Sequence, residues 1–203
     1  LGAKTRGSVV ELNPQTGEIL AMVNQPTYDP NELASHDLTA VTEAWQDLAN
    51  DPTQPMLNRA NLLTLPPGST FKPVTAAAGI EDMGLDADSK VRGGATLSFP
   101  GISYKLTNQG GGNCGGNPIT LEHAMAISCN VSFGWIAGEV GQEKLVDQAE
   151  KFGFGSRPMS DLPSSASRVT SDPDAQLEPP QLAQTGIGQF EVAATPLQMA
   201  MVA

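Results

Sequence analysis

A hydroxyl and an amine three residues apart, in Ser69-Thr70-Phe71-Lys72, form the pair in this chain best suited to covalent chemistry. On a helix, positions i and i+3 share a face, so the Lys72 amine can reach the Ser69 oxygen. A serine hydroxyl is a poor nucleophile until a neighbour accepts its proton. A lysine does so only when burial or nearby positive charge lowers its pKa. The plainer assignment makes Ser69 a helix N-cap and Lys72 a solvated surface charge. Electrostatics weigh against it, because a capping box wants Glu or Gln three residues on, and a cation in the first turn opposes the positive end of the helix dipole. The S-x-x-K pattern is nonetheless loose, and the tetrapeptide alone favours the plainer assignment.

A second element changes the balance. Ser128-Cys129-Asn130 ends an apolar segment that runs from Ile119 to Ile127. S-x-x-K with a Ser-x-Asn type element and K-T-G is the signature set of class A β-lactamases and penicillin-binding proteins. Two of the three are present in order, with Asn58-Arg59-Ala60 before them and Gly186-Ile187-Gly188-Gln189 and Ala194-Thr195-Pro196-Leu197-Gln198-Met199-Ala200 after them. On these residues most of the chain resembles the class B penicillin-binding proteins, the monofunctional peptidoglycan transpeptidases. Within that class it is most similar to the actinobacterial type.

The third element is missing. The nearest approaches to Lys-Thr-Gly are Gln184-Thr185-Gly186 and Gln15-Thr16-Gly17, whose glutamines carry no charge to hold a carboxylate. In the family the K-T-G strand follows the T-P-L-Q helix, and this chain stops at Ala203 within that pattern. The expectation is therefore a fragment: residues 1–203 as the N-terminal and central part of a single transpeptidase domain, with its C-terminal portion absent and isolated activity not expected. The fold class implied is mixed α/β (α+β) of the penicillin-binding protein and serine β-lactamase type, an antiparallel sheet flanked by helices plus an all-helical part.

The resemblance implies acyl transfer. Ser69 would attack the carbonyl of a peptide bond and Lys72, as a neutral amine, would accept its proton. Ser128 would help pass that proton to the leaving amine, and Asn130 would bind the acyl donor's amide. The Ser69 backbone N–H would supply half of an oxyanion hole, the other donor coming from the strand beside the absent K-T-G. The implied donor is a D-alanyl-D-alanine stem peptide, the acceptor an amine of a neighbouring stem, and β-lactams would acylate Ser69 as substrate mimics. The implied setting is cell-wall synthesis serving division or shape, on the extracytoplasmic side of the membrane. Other cell-wall synthesis proteins would be partners, and a membrane anchor and a non-catalytic domain would lie upstream of Leu1. Three rivals share the fold. A β-lactamase needs a deacylating base, commonly a Glu in a separate loop, and no element here marks one. A D,D-carboxypeptidase differs only in using water as acceptor. A β-lactam sensor or an inactive scaffold lacks turnover, so labelling against turnover separates these readings.

Composition agrees with an enzyme piece and excludes other classes. Eleven Lys and Arg against 22 Asp and Glu give a formal net charge of −11, which offers no basic footprint for nucleic acid. An apolar content of 39% over 203 residues supports one globular core, and no run of apolar residues is long enough for a membrane span. Two cysteines and two histidines at scattered positions make no ligand spacing, so neither metal nor cofactor is expected. Cys114, in the flexible loop Asn113-Cys114-Gly115-Gly116, and Cys129 can close a disulfide in an oxidising compartment; alternatively Cys129 is a small buried residue facing away from the groove. His36 and His123 carry no local signature that would make Cys129 catalytic, and His123 reads as a helix-surface residue.

The elements that must position these groups begin with a hairpin over 7–23, two short β-prone runs reversed by Asn13-Pro14-Gln15-Thr16-Gly17. Residues 25–31, with two prolines, leave the sheet, and 33–49 wrap the surface partly as helix. A buried helix over about 69–83 carries the nucleophile, tolerates Pro73 in its first turn and ends at Gly84. Residues 86–116 read as loop with short strands at 96–99 and 104–106. The helical part covers about 119–153: Thr120 caps a helix to about Ala126, a break holds Ser128 and Asn130, and helices follow over 131–140 and 142–152. Phe133 and Trp135 read as core, residues 156–180 as an exposed connection, and Thr195-Pro196 as the start of the last helix. Asn58 and Arg59 fit either an exposed loop or a brace for the nucleophile's helix.

Overall fold

The chain enters as a hairpin. β1 (Gly7–Leu12) and β2 (Ile19–Gln25) run antiparallel, with Val9 opposite Val23 and Val10 opposite Met22. Asn13 builds the reversal: its Oδ1 accepts from the backbone N–H groups of Gln15 and Thr16, and Gly17 supplies the left-handed residue at φ +74°. The computed structural model describes residues 6–203, and among them no third strand joins this pair. Two smaller antiparallel ladders lie farther on, β3 (Lys90–Val91) with β6 (Ile119–Thr120) and β4 (Thr96–Phe99) with β5 (Ile102–Thr107). The last pair falls where short strands were expected.

Eight α-helices and three short 3₁₀ segments make up the rest of the regular structure among the described residues. α1 (Leu38–Asn50) starts at Asp37, whose carboxylate accepts from the N–H groups of Thr39 and Ala40. α2 (Arg59–Leu62) is a single turn. α3 (Lys72–Met83) holds Pro73 in its first turn and ends on Gly84 at φ +68°, the left-handed stop that glycine permits. α4 (Leu121–Ala126) is capped by Thr120. α5 (Asn130–Val140) and α6 (Gln142–Lys151) follow with one residue, Gly141, between them. α7 (Pro179–Thr185) and α8 (Pro196–Val202) close the chain. No described helix is long and apolar enough to cross a membrane.

The core is helical. Phe71, Val74, Ala78, Phe133, Ile136 and Leu145 have no exposed surface, and α3 and α5 contribute most of them. Phe71 meets Phe154 edge-on, the arrangement that aromatic quadrupoles favour. Phe133 lies in this core as expected, and Trp135 packs against it half-buried.

Most of 156–180 is exposed, as expected of a connection, but its middle at 164–169 is mostly buried or half-buried. Ser167 and Val169 are buried, the Ser165 N–H donates to Asn61 O, and Arg168 exchanges both backbone hydrogen bonds with Ala193. Ser167 Oγ also accepts from the Thr195 N–H. The Ser and Pro content suggested a solvated loop, but these partners satisfy its backbone against the interior. α7 was not foreseen either, although its capping box is visible in sequence: Glu178, two prolines, then Gln181, whose side chain accepts from the Glu178 N–H.

Candidate active site

Ser69 sits in a tighter turn than the expected α-helix. Gly68–Phe71 is a 3₁₀ segment, and α3 begins only at Lys72. The residue before the segment is Pro67, which offers no side-chain cap, so Ser69 is not occupied in capping. Its side of the turn is exposed, while Phe71 next to it is fully buried and anchors the turn in the core.

Lys72 is at the opposite extreme, with 1% of its surface exposed. Its Nζ donates to Ser128 O at 2.7 Å, Ser128 Oγ at 2.9 Å and Asn130 Oδ1 at 2.7 Å. Three acceptors match the three N–H donors of an ammonium. All three belong to the Ser-x-Asn segment and none to Ser69, so the amine is tied to the second element rather than to the hydroxyl three residues before it. The Phe133 ring lies 5.6 Å from Nζ. Burial pushes the Lys72 pKa down from its ordinary 10.5 to about 8, because the charged form loses its hydration. That places a free amine within reach of neutral solution, as a proton acceptor requires.

The Ser-x-Asn segment is held in an unusual shape. Ser128 has φ +57°, a left-handed conformation rare for a residue with a side chain, which stops α4 and turns the chain into α5. Cys129 occupies the cap position of α5 and forms a disulfide with Cys114. Asn130 is the first residue of α5. Its Oδ1 accepts from Lys72 and its Nδ2 donates to Thr107 O at 3.0 Å. Asn108 Oδ1 accepts from the Val131 N–H at 3.1 Å, a further link between the end of β5 and this helix start. No local sequence pattern marks Thr107 and Asn108, since a strand end in a Gly-rich region carries no signal of what it will face.

The Gly-x-Gly turn after α7 backs the Ser69 turn directly. Gly188 O accepts from the Gly68 N–H at 2.9 Å, and Leu65 exchanges backbone hydrogen bonds with Ala194 on the other side. Asn58 and Arg59 serve another purpose. Asn58 caps α2 and is bonded by Asn24 of β2, while the buried Arg59 guanidinium donates to the carbonyls of Thr53, Gln54 and Leu57. They tie the hairpin and the 53–57 segment to α2. His123 is on the surface of α4.

The family model of the penicillin binding protein transpeptidase domain matches residues 7–203. Peptidoglycan D,D-transpeptidase PbpA of Mycolicibacterium smegmatis is 43% identical over 199 residues, covering 98% of this chain and 40% of that protein. Its counterpart in Mycobacterium tuberculosis is 40% identical over 200 residues, again 98% of this chain and 40% of the relative. The solved structure of penicillin-binding protein A from M. tuberculosis, as an imipenem acyl-enzyme complex, superposes with a TM-score of 0.86 at 40% identity, covering 96% of this chain and 44% of that one. The mixed α/β architecture is thus the transpeptidase fold, and the chain spans about 40% of the length of the curated relatives it matches.

Proposed function

The chain belongs to the penicillin-binding protein transpeptidase family, and from that premise we propose that it carries the nucleophile and proton relay of a peptidoglycan D,D-transpeptidase that β-lactams acylate. The observation that carries the reading is the buried Lys72 amine, joined to Ser128 and Asn130 and set one helical turn from an exposed serine.

In the acylation step Ser69 Oγ attacks the carbonyl carbon of a D-alanyl-D-alanine peptide bond, and the neutral Lys72 amine takes the hydroxyl proton. Negative charge gathers on the carbonyl oxygen, where the Ser69 backbone N–H donates; a first-turn N–H has no helical partner and is free for this. The C–N bond then breaks, Ser128 Oγ hands a proton to the departing amine, and Lys72 restores it along their 2.9 Å hydrogen bond. An amine of a second stem peptide attacks the acyl-serine, its surplus proton returns through the same groups, and a cross-link replaces the lost peptide bond. Asn130 presents its amide to the donor peptide, exchanging part of its present bonding to Thr107 and Lys72 for the substrate. The whole protein works on the extracytoplasmic side of the membrane, held there by a segment outside this chain.

The test is turnover by the intact protein with a D-alanyl-D-alanine donor peptide and an amine acceptor, followed by mass spectrometry. A joined product with release of one D-alanine is expected. Hydrolysed donor alone would instead make water the acceptor and the protein a carboxypeptidase, and an acyl-enzyme that never turns over would make it a sensor.

A further inference from the structure

We infer that Thr75 is a positioning residue for acylation, acting through the Gly186–Gly188 turn to hold the Ser69 turn against the helix that carries Lys72. The inference rests on the reading of Ser69 as the acylated residue.

Thr75 lies three residues beyond Lys72 on α3 and has no exposed surface. A buried hydroxyl must find a partner, and in a helix a threonine usually finds it in the carbonyl four residues back. Thr75 instead sends its Oγ1 hydrogen 2.8 Å across the core to Gly186 O, just past the end of α7. Two residues later Gly188 O receives the Gly68 N–H. The strap from Gly186 to Gly188 is therefore fastened at one end to the body of α3 and at the other to the residue before the nucleophile.

Neither end has room for a side chain. A Cβ on Gly188 would lie 2.7 Å from Phe71 Cβ and 2.9 Å from Gly68 C, and a Cβ on Gly186 would lie 2.9 Å from Phe133 O. Gly188 also sits at φ +70°, where only glycine is unstrained. The strap meets the nucleophile turn backbone to backbone, and that turn needs support, because Gly68 is itself left-handed at φ +58°. Lys72 and Thr75 share one face of α3. The Lys72 backbone N–H donates to Ser69 O within the turn, but no hydrogen bond joins the two side chains, so the strap steadies the spacing between the exposed serine and the amine.

The experiment compares Thr75→Val, which keeps the shape and removes the hydroxyl, with Thr75→Ser, which keeps the hydroxyl, in the intact protein. Benzylpenicillin acylation is followed by intact mass over a concentration series, so that non-covalent affinity and the limiting rate of covalent attachment are separated. Thr75→Val should lower the limiting rate about tenfold with little change in affinity. Thr75→Ser should stay within about twofold of the parent. If Thr75→Val does not fold, Thr75→Ala with Thr75→Ser makes the same comparison. Equal rates for the hydroxyl-bearing and hydroxyl-free variants, or a loss that follows only the folded fraction, would overturn the assignment. A parent that takes no adduct at Ser69 would remove the underlying reading, which is a separate outcome from a parent that acylates and a valine variant that matches it.

Discussion

The helical block around Lys72 and the entry region of hairpin plus α1 are built on opposite terms. In the block, α3 and α5 bury Phe71, Val74, Phe133 and Ile136 completely and enclose a lysine with its three hydrogen bonds made. In the entry region no residue of β1, β2 or α1 is fully buried. Val9 and Val23, paired across the hairpin, are each about half exposed, and so is Trp45 of α1. A groove between the hairpin and the end of α8 is lined by Val10, Ile19, Leu197 and Met201. Apolar surface of this kind marks faces that other parts of a protein cover. The block can hold its chemistry by its own packing, whereas the hairpin, tied to α2 through Asn24, keeps much of its apolar surface open.

Perturbing the two regions should therefore have unequal consequences. The largest is functional: Lys72→Met should lower β-lactam acylation by about a thousandfold, the scale of a lost general base, with only a modest fall in melting temperature, because removing a buried charge offsets part of the cost of leaving the Ser128 and Asn130 acceptors without their donor. A melting temperature that collapses with the activity would make Lys72 a structural residue. Next, Phe71→Ala should cost about 3–5 kcal/mol in urea unfolding as a cavity opens beneath the Ser69 turn, and Val23→Thr on the hairpin less than about 0.5 kcal/mol. Similar costs at both sites would erase the contrast. Third, replacing Cys114 and Cys129 together by serine should cost about 3 kcal/mol, as expected for opening a loop closed over a separation of 15 residues.

A further effect is a pH dependence. Folded Lys72 loses its proton near 8 and the unfolded chain near 10.5, so between those values the unfolded state binds more protons and stability rises with pH. Below 8 both states keep the proton and the buried charge is a constant cost. The acylation rate should rise over the same lower limb with a midpoint about 8, where the amine becomes free. A midpoint near 10 would mean that the site does not desolvate Lys72.

Much of the site was legible because its parts are local. Ser69 and Lys72 share one short segment, Ser128 and Asn130 another, and Gly84 and Thr120 mark helix ends by rules that act within a few residues. What the sequence could not convey depends on contacts between distant segments. The pairing of Lys72 with Ser128 rather than Ser69 is set by how α3 and α5 pack. The burial of Ser167 and Val169 follows from partners at Asn61, Ala193 and Thr195 that no local pattern announces. The Gly186 to Gly188 turn could be seen as part of a familiar motif, but its role against Gly68 appears only in three dimensions.

Acylation falls on Ser69 Oγ, with Lys72 as its activator, in the proposed mechanism. The most direct test digests the intact protein after brief exposure to benzylpenicillin and maps the adduct by tandem mass spectrometry. One penicilloyl group on Ser69 of the parent, absent from Ser69→Ala and strongly slowed in Lys72→Met, is the predicted result. An adduct on another residue, or one that persists in folded Ser69→Ala, would contradict it.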